Sequence, residues 1–128
     1  MPKRPASFWA NLLWLPALAV GALQMYRVDA GAITDYGADF FGPIALYASF
    51  RAHATVVRWF MKKAPPPLVS AAIVLAGCVL WELCQLRDFT GTPLAITRGR
   101  FDPGDLAAYV AGVAVACGTD LILQRRTV

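Results

Sequence analysis

Trp81–Leu86 reads WELCQL, Arg87–Arg100 reads RDFTGTPLAITRGR, and Phe101–Tyr109 reads FDPGDLAAY. An apolar run thus ends in Glu82 and Gln85. A polar loop broken by Gly91, Pro93 and Gly99 follows, and a second apolar run opens with Asp102 and Asp105. Asp102 at the N-cap, Pro103 at the first helical position and Asp105 two residues on make a helix-start pattern. The stretch predicts two helices that meet at a polar end.

Working outward, the flanks are long and apolar. Of the 128 residues 58% are hydrophobic, mean hydropathy is +0.52, and 16% are charged, against about 25% in soluble proteins. So few charges cannot cover the surface of a soluble domain of this size, and a bilayer is the natural solvent. A spanning helix needs about 20 apolar residues. The expected fold class is therefore all-α: one integral membrane domain over 1–128, a bundle of four transmembrane helices at about 8–25, 36–60, 68–86 and 103–123. Lys3 and Arg4 before the first run resemble a signal peptide. Trp9, Asn11, Trp14 and the length of the run favour an uncleaved first span instead. Pro16 is a candidate kink in it, and Thr34 a candidate N-cap for the second helix.

Lys and Arg flank the apolar runs, as membrane topology requires, so the net charge of +4 and pI near 9.3 do not point to nucleic acid. Lys3, Arg4, Arg58, Lys62, Lys63, Arg125 and Arg126 fall on one side of a four-span bundle, and only Arg27, Arg87, Arg98 and Arg100 on the other. By the positive-inside rule both termini are cytoplasmic. Asp35, Asp39, Glu82, Gln85, Arg98, Arg100, Asp102, Asp105 and Tyr109 then share one depth, at the outer surface, although they come from three helices and two loops.

That outer cap is the candidate binding site, with its alternatives open. Glu82 and Gln85 are placed either to bind a head group or relay a proton, or to lock the start of the fourth helix. Asp102 and Asp105 read as ligands or as helix caps. Arg98 and Arg100 suit a phosphate, because a guanidinium donates two parallel bonds, or they pair with the nearby aspartates. A ligand site requires a cavity lined by cap residues; a purely structural cap requires them to be bonded to each other. No metal-loop spacing, catalytic triad or phosphate loop is present, so no metal, cofactor or catalytic residue is expected.

Deeper in the chain, Arg51 lies 12 residues past Asp39 and Asp120 lies 15 past Asp105, about 18 and 22 Å at 1.5 Å per residue. An unpaired charge at that depth costs at least ~2.5 kcal/mol. The two are expected to pair, directly or through His53; the alternative is that Arg51 snorkels to the inner surface. Cys78, Cys84 and Cys117 lie in apolar runs without metal or disulfide spacing. Ala108, Gly112 and Ala116 form a small-residue stripe of the kind that brings membrane helices close.

ELCQL, Arg100-Phe101-Asp102-Pro103-Gly104-Asp105 and the apolar helix that follows resemble the VanZ-like membrane family. Thr34–Tyr47 and Gly104–Gly112 also resemble a related bacterial four-helix family with an ELxQL…F…DLxxYxxG pattern. The likeness runs from about Ala32 to Leu123, with Glu82, Gln85, Phe101, Asp105 and Gly112 at its core. Asp39 stands where the VanZ pattern has histidine, and Tyr109 stands in the region where it has asparagine. The resemblance implies a multi-pass protein of a bacterial inner membrane, connected with envelope lipids or cell-wall precursors. The function expected is non-enzymatic: binding of an anionic lipid or cell-wall precursor head group at the outer cap. The alternative is an accessory subunit packed on a larger membrane complex or in a homo-oligomer, through the small stripe and the apolar face of the first helix.

Overall fold

The structure, a computed structural model, describes residues 6–26, 28–63, 65–87, 91–93 and 102–127. It is helical: α1 Ala6–Leu12, α2 Trp14–Met25, α3 Ala32–Ala52, α4 Ala54–Met61, α5 Pro67–Cys84 and α6 Pro103–Thr127. The all-α expectation holds, with revised bounds. The first expected helix is interrupted at Leu13, three residues before the candidate kink residue Pro16. A proline ring clashes with the carbonyl four residues back, which here is that of Leu12, so the helix ends there and restarts at Trp14. The third expected helix runs over Pro67–Cys84, with Pro66 as N-cap and Pro67 at the first position, where its missing N–H costs nothing. The fourth extends past Leu123 to Thr127.

The second expected helix differs most. It begins at Ala32, so Thr34 lies inside it, and Gly31 is the N-cap at φ 64°, its N–H donating to Asp29 Oδ1 at 2.9 Å. A positive φ is cheap only for glycine. The helix ends at Ala52, because His53 turns to ψ 46°, and α4 follows as a separate element. Arg51 therefore sits in the last turn of α3 rather than well inside a long span.

Among the described residues α5 and α6 are long and apolar enough to cross a membrane, with mean hydropathies of 2.0 and 1.9 over their best windows. Only 22% of each window is buried, whereas the core helix of a soluble protein is mostly enclosed. α3 is long enough but carries Asp35, Asp39 and Arg51. It can, because it is the central helix, packed against α1, α2, α5 and α6.

Three close approaches set the packing. A Cβ at Gly37 would lie 3.0 Å from a Val20 methyl, which brings α2 onto α3. A Cβ at Gly104 would lie 2.8 Å from Tyr36 Cε1, and one at Gly112 would collide with the Phe40 carbonyl oxygen. The order 36 on 104, 40 on 112 and 47 on 120 makes α3 and α6 run parallel; α5 runs against both. Gly112 of the small stripe of α6 thus meets α3 inside the bundle and is buried there, while Ala108 and Ala116 are partly exposed. Trp14 Nε1 donates to Ser49 Oγ at 2.9 Å and ties α2 to the same centre. The buried core is Tyr47, Val74, Cys78, Tyr109, Val113 and Cys117, from α3, α5 and α6.

Candidate functional site

The buried face of α5 is Ser70, Val74, Cys78 and Glu82, every fourth residue. Residues four apart stack on one face of a helix, so a carboxylate continues an otherwise small and apolar stripe. Glu82 is 1% exposed. Its Oε1 accepts a hydrogen bond from Tyr109 Oη at 2.7 Å. Tyr109, in turn, lies on the buried face of α6, four residues before Val113.

Two more carboxyl groups close the cluster. Asp39 of α3 lies within hydrogen-bonding reach of Asp105 and Tyr109. Asp39, Glu82 and Asp105 can each turn one oxygen to within 4.8 Å of the others. Asp39 and Asp105 are half-buried. Like charges so close repel strongly, and a shared proton or a bound cation would relieve that repulsion. A hard cation takes roughly six to eight oxygens, so these three would be half a shell, the rest coming from water or a ligand.

The remaining cap residues divide. Asp102 caps its own helix, its Oδ1 accepting from Gly104 N–H at 2.8 Å. Asp35 is exposed in the first turn of α3, apart from the cluster, and Gln85 is half-buried just past the end of α5. Arg98 and Arg100 lie outside the described residues. Tyr36 was not singled out in the sequence. It packs on Gly104 at the α6 start, and its place three residues before Asp39, on the same helical face, is the signal that marks it.

At the other end of the bundle Arg51 and Asp120 meet directly, Nε to Oδ2 at 2.8 Å, each side chain about a quarter exposed (25% and 23%). His53 is exposed at the end of α3 and does not come between them. Tyr47, one turn before Arg51, also donates to Asp120 Oδ2, at 2.7 Å, and Arg51 Nη1 donates to the Pro65 carbonyl at 2.8 Å. One guanidinium thus fastens α3, α6 and the segment before α5.

Two cavities lie beside these layers. A groove of about 370 Å³ runs between α3 and α5 from Asp39 and Tyr109 past Gly42, Val74 and Gly77 to Phe50. Its walls are apolar except at the Asp39 end. A larger cavity of about 640 Å³ lies between α1, α3 and α6, with Trp9 and Leu13 on one wall and Arg51 and Asp120 on the other. Both fall in the size range of small-molecule sites.

The bond from Tyr109 to Glu82 gives a first expected result. Tyr109→Phe leaves a carboxylate buried with one donor fewer, a loss of about 1–3 kcal/mol. It lowers the unfolding temperature in detergent, while Tyr26→Phe, on an exposed ring, leaves it unchanged. Equal stability of the two variants would remove the bond from any role in holding α5 to α6.

Compared with protein-family models, with curated proteins and with solved structures, the chain matches none.

Proposed function

We propose that this chain is a multi-pass, non-enzymatic protein of a bacterial inner membrane, VanZ-like in kind, that binds a membrane lipid at its outer end. Its spans are α1–α2, α3, α5 and α6, with both termini in the cytoplasm. The lipid chain lies in the groove between α3 and α5, and the head group reaches Asp39 and Tyr109. The observation that carries this is the groove itself: apolar along its length and polar at one end, with that end at the cap. The hydroxyls or amines of a phospholipid or cell-wall precursor head group suit the acidic cluster, and its phosphate falls to Arg98 and Arg100.

Gly42 and Gly77 line the groove, and a Cβ added at either meets nothing within 4 Å. Gly77→Leu therefore fills the groove without straining the bundle. Native mass spectrometry of the protein in mild detergent is expected to show a bound lipid that is lost in Gly77→Leu and weakened in Asp39→Asn. Equal lipid occupancy in wild type and Gly77→Leu would sink the proposal.

A second reading rests on Glu82, which is enclosed and bonded to Tyr109, as a structural cap requires. In that reading the chain is a small subunit of a larger membrane assembly, and the same spectra carry a stoichiometric protein partner and no variant-sensitive lipid.

A further inference from the structure

α3 has 21 residues, about 31 Å at 1.5 Å per residue, which is the full thickness of a hydrocarbon core. If α3 is a span, α4 begins where the core ends. The backbone agrees: His53 breaks the helix at ψ 46°, α4 lasts eight residues, and Lys62 ends it at φ 59°. Three prolines then lead into α5.

α4 is unlike its neighbours in what it exposes. Trp59 is 79% and Phe60 84% exposed, and Val56 beside them is half exposed. At 100° per residue Val56, Trp59 and Phe60 fall on one side of the helix and Arg58 on the other. Lys62 and Lys63 follow at the exit, both exposed, as is Arg58. From Phe40 to Trp81 the sequence contains no Asp or Glu, so no acidic side chain on the helix or its flanks offsets this charge. Arg125, near the end of α6 and on the same side of the bundle, adds to it. A bulky apolar side, an indole and a basic side on one short helix are the chemistry of a membrane interface, not of water or of the bilayer core.

We propose that α4 is an interfacial helix that seats Trp59 and Phe60 in the cytoplasmic leaflet and gathers anionic lipid head groups on Arg58, Lys62 and Lys63. This rests on α3 spanning the membrane and is independent of any lipid between α3 and α5. Anionic head groups are the occupant because the apolar and cationic sides end together, so a lipid that satisfies one also satisfies the other. A protein partner would need both an apolar pocket and an acidic rim.

The test uses the full chain in phosphatidylcholine vesicles with a minor fraction of phosphatidylglycerol. Bromine, which quenches tryptophan, is placed on the acyl chains of one lipid or the other at equal amount. The Trp59 signal is the emission lost in Trp59→Phe. Brominated phosphatidylglycerol is expected to quench it at least about twofold more than brominated phosphatidylcholine, because a basic cluster enriches anionic lipid around itself. The excess disappears in Arg58→Gln/Lys62→Gln/Lys63→Gln and shrinks in high salt. Equal quenching by the two lipids would overturn the anionic preference. Quenching by neither would overturn the interfacial placement and assign the face to a protein partner. An alkaline wash of the same vesicles separates the two levels: a protein that washes off was never integral, whereas one that stays without biased quenching refutes only the role of α4.

Discussion

Gly112→Ala is expected to destabilise the protein, and Gly118→Ala, six residues along the same helix, is not. In a helix the change from glycine to alanine is worth about 1 kcal/mol in favour of the folded state. At Gly118 nothing lies within 4 Å of the new methyl, so that gain stands alone. At Gly112 the methyl collides with the carbonyl oxygen of Phe40. Backbone cannot swing aside as a side chain can, so α3 and α6 must separate. Overpacking of this kind costs about 1–3 kcal/mol, more than the propensity gain. The strain also lands next to Asp39, so it loosens the contact with Asp105 as well as the core. Cys78 and Cys117 are buried free thiols in that core, whereas Cys84 is only partly buried, so in a Cys84→Ser background the reaction of the two with a maleimide on heating reads the unfolding. Gly112→Ala should react several degrees lower than wild type, and Gly112→Leu should react without heating. If Gly112→Ala and Gly118→Ala unfold together, the close crossing of α3 and α6 is wrong.

Much of this arrangement was legible in the sequence, because helix ends carry local signals. The starts expected at Leu68 and Pro103 fall within a residue of the observed Pro67 and Pro103. The carboxylate cluster was legible for a similar reason: Asp39, Glu82 and Asp105 sit at the ends of their runs, so an up-and-down order of helices gives them a common level. What was not legible depends on tertiary contact or on backbone angles. Thr34 looks like a cap, but the helix starts earlier on a glycine whose positive φ no side chain advertises. The break at His53 is invisible because ATVVRWF continues the apolar run without Pro or Gly. It also takes Arg58 and Trp59 out of the second expected helix and into α4. Asp35 and Asp39 share a helical face by spacing, yet only Asp39 reaches the level where α5 and α6 supply neighbours. Tyr47 was readable in principle as the residue one turn above Arg51, but a tyrosine in an apolar run gives no cue that its hydroxyl has an acceptor.

At the end of the bundle away from the carboxylate cluster, Asp120→Leu is expected to cost about 2–3 kcal/mol, and Arg51→Leu added to it should recover part of that loss. A fully buried ion pair broken on one side costs about 3–5 kcal/mol. The two side chains here are each about a quarter exposed, so water takes over some of the solvation and the cost falls below that range. Two donors lose their acceptor in Asp120→Leu, the Tyr47 hydroxyl and Arg51 Nε. Arg51 keeps only its bond to the Pro65 carbonyl, and its charge is left against an apolar cavity wall. Removing the charge as well relieves that penalty, so the double variant should be more stable than the sum of the single losses predicts, by about 1–2 kcal/mol. Asp120→Asn falls between, because an amide oxygen still accepts from Tyr47 while the charge is gone. The alternative, an arginine that snorkels to the inner surface, makes the opposite forecast: Arg51→Leu would then be nearly silent, and it would not improve Asp120→Leu. Thermal unfolding of the four proteins in one detergent distinguishes the two. Strictly additive losses would mean that the Arg51–Asp120 contact does not hold α3 to α6.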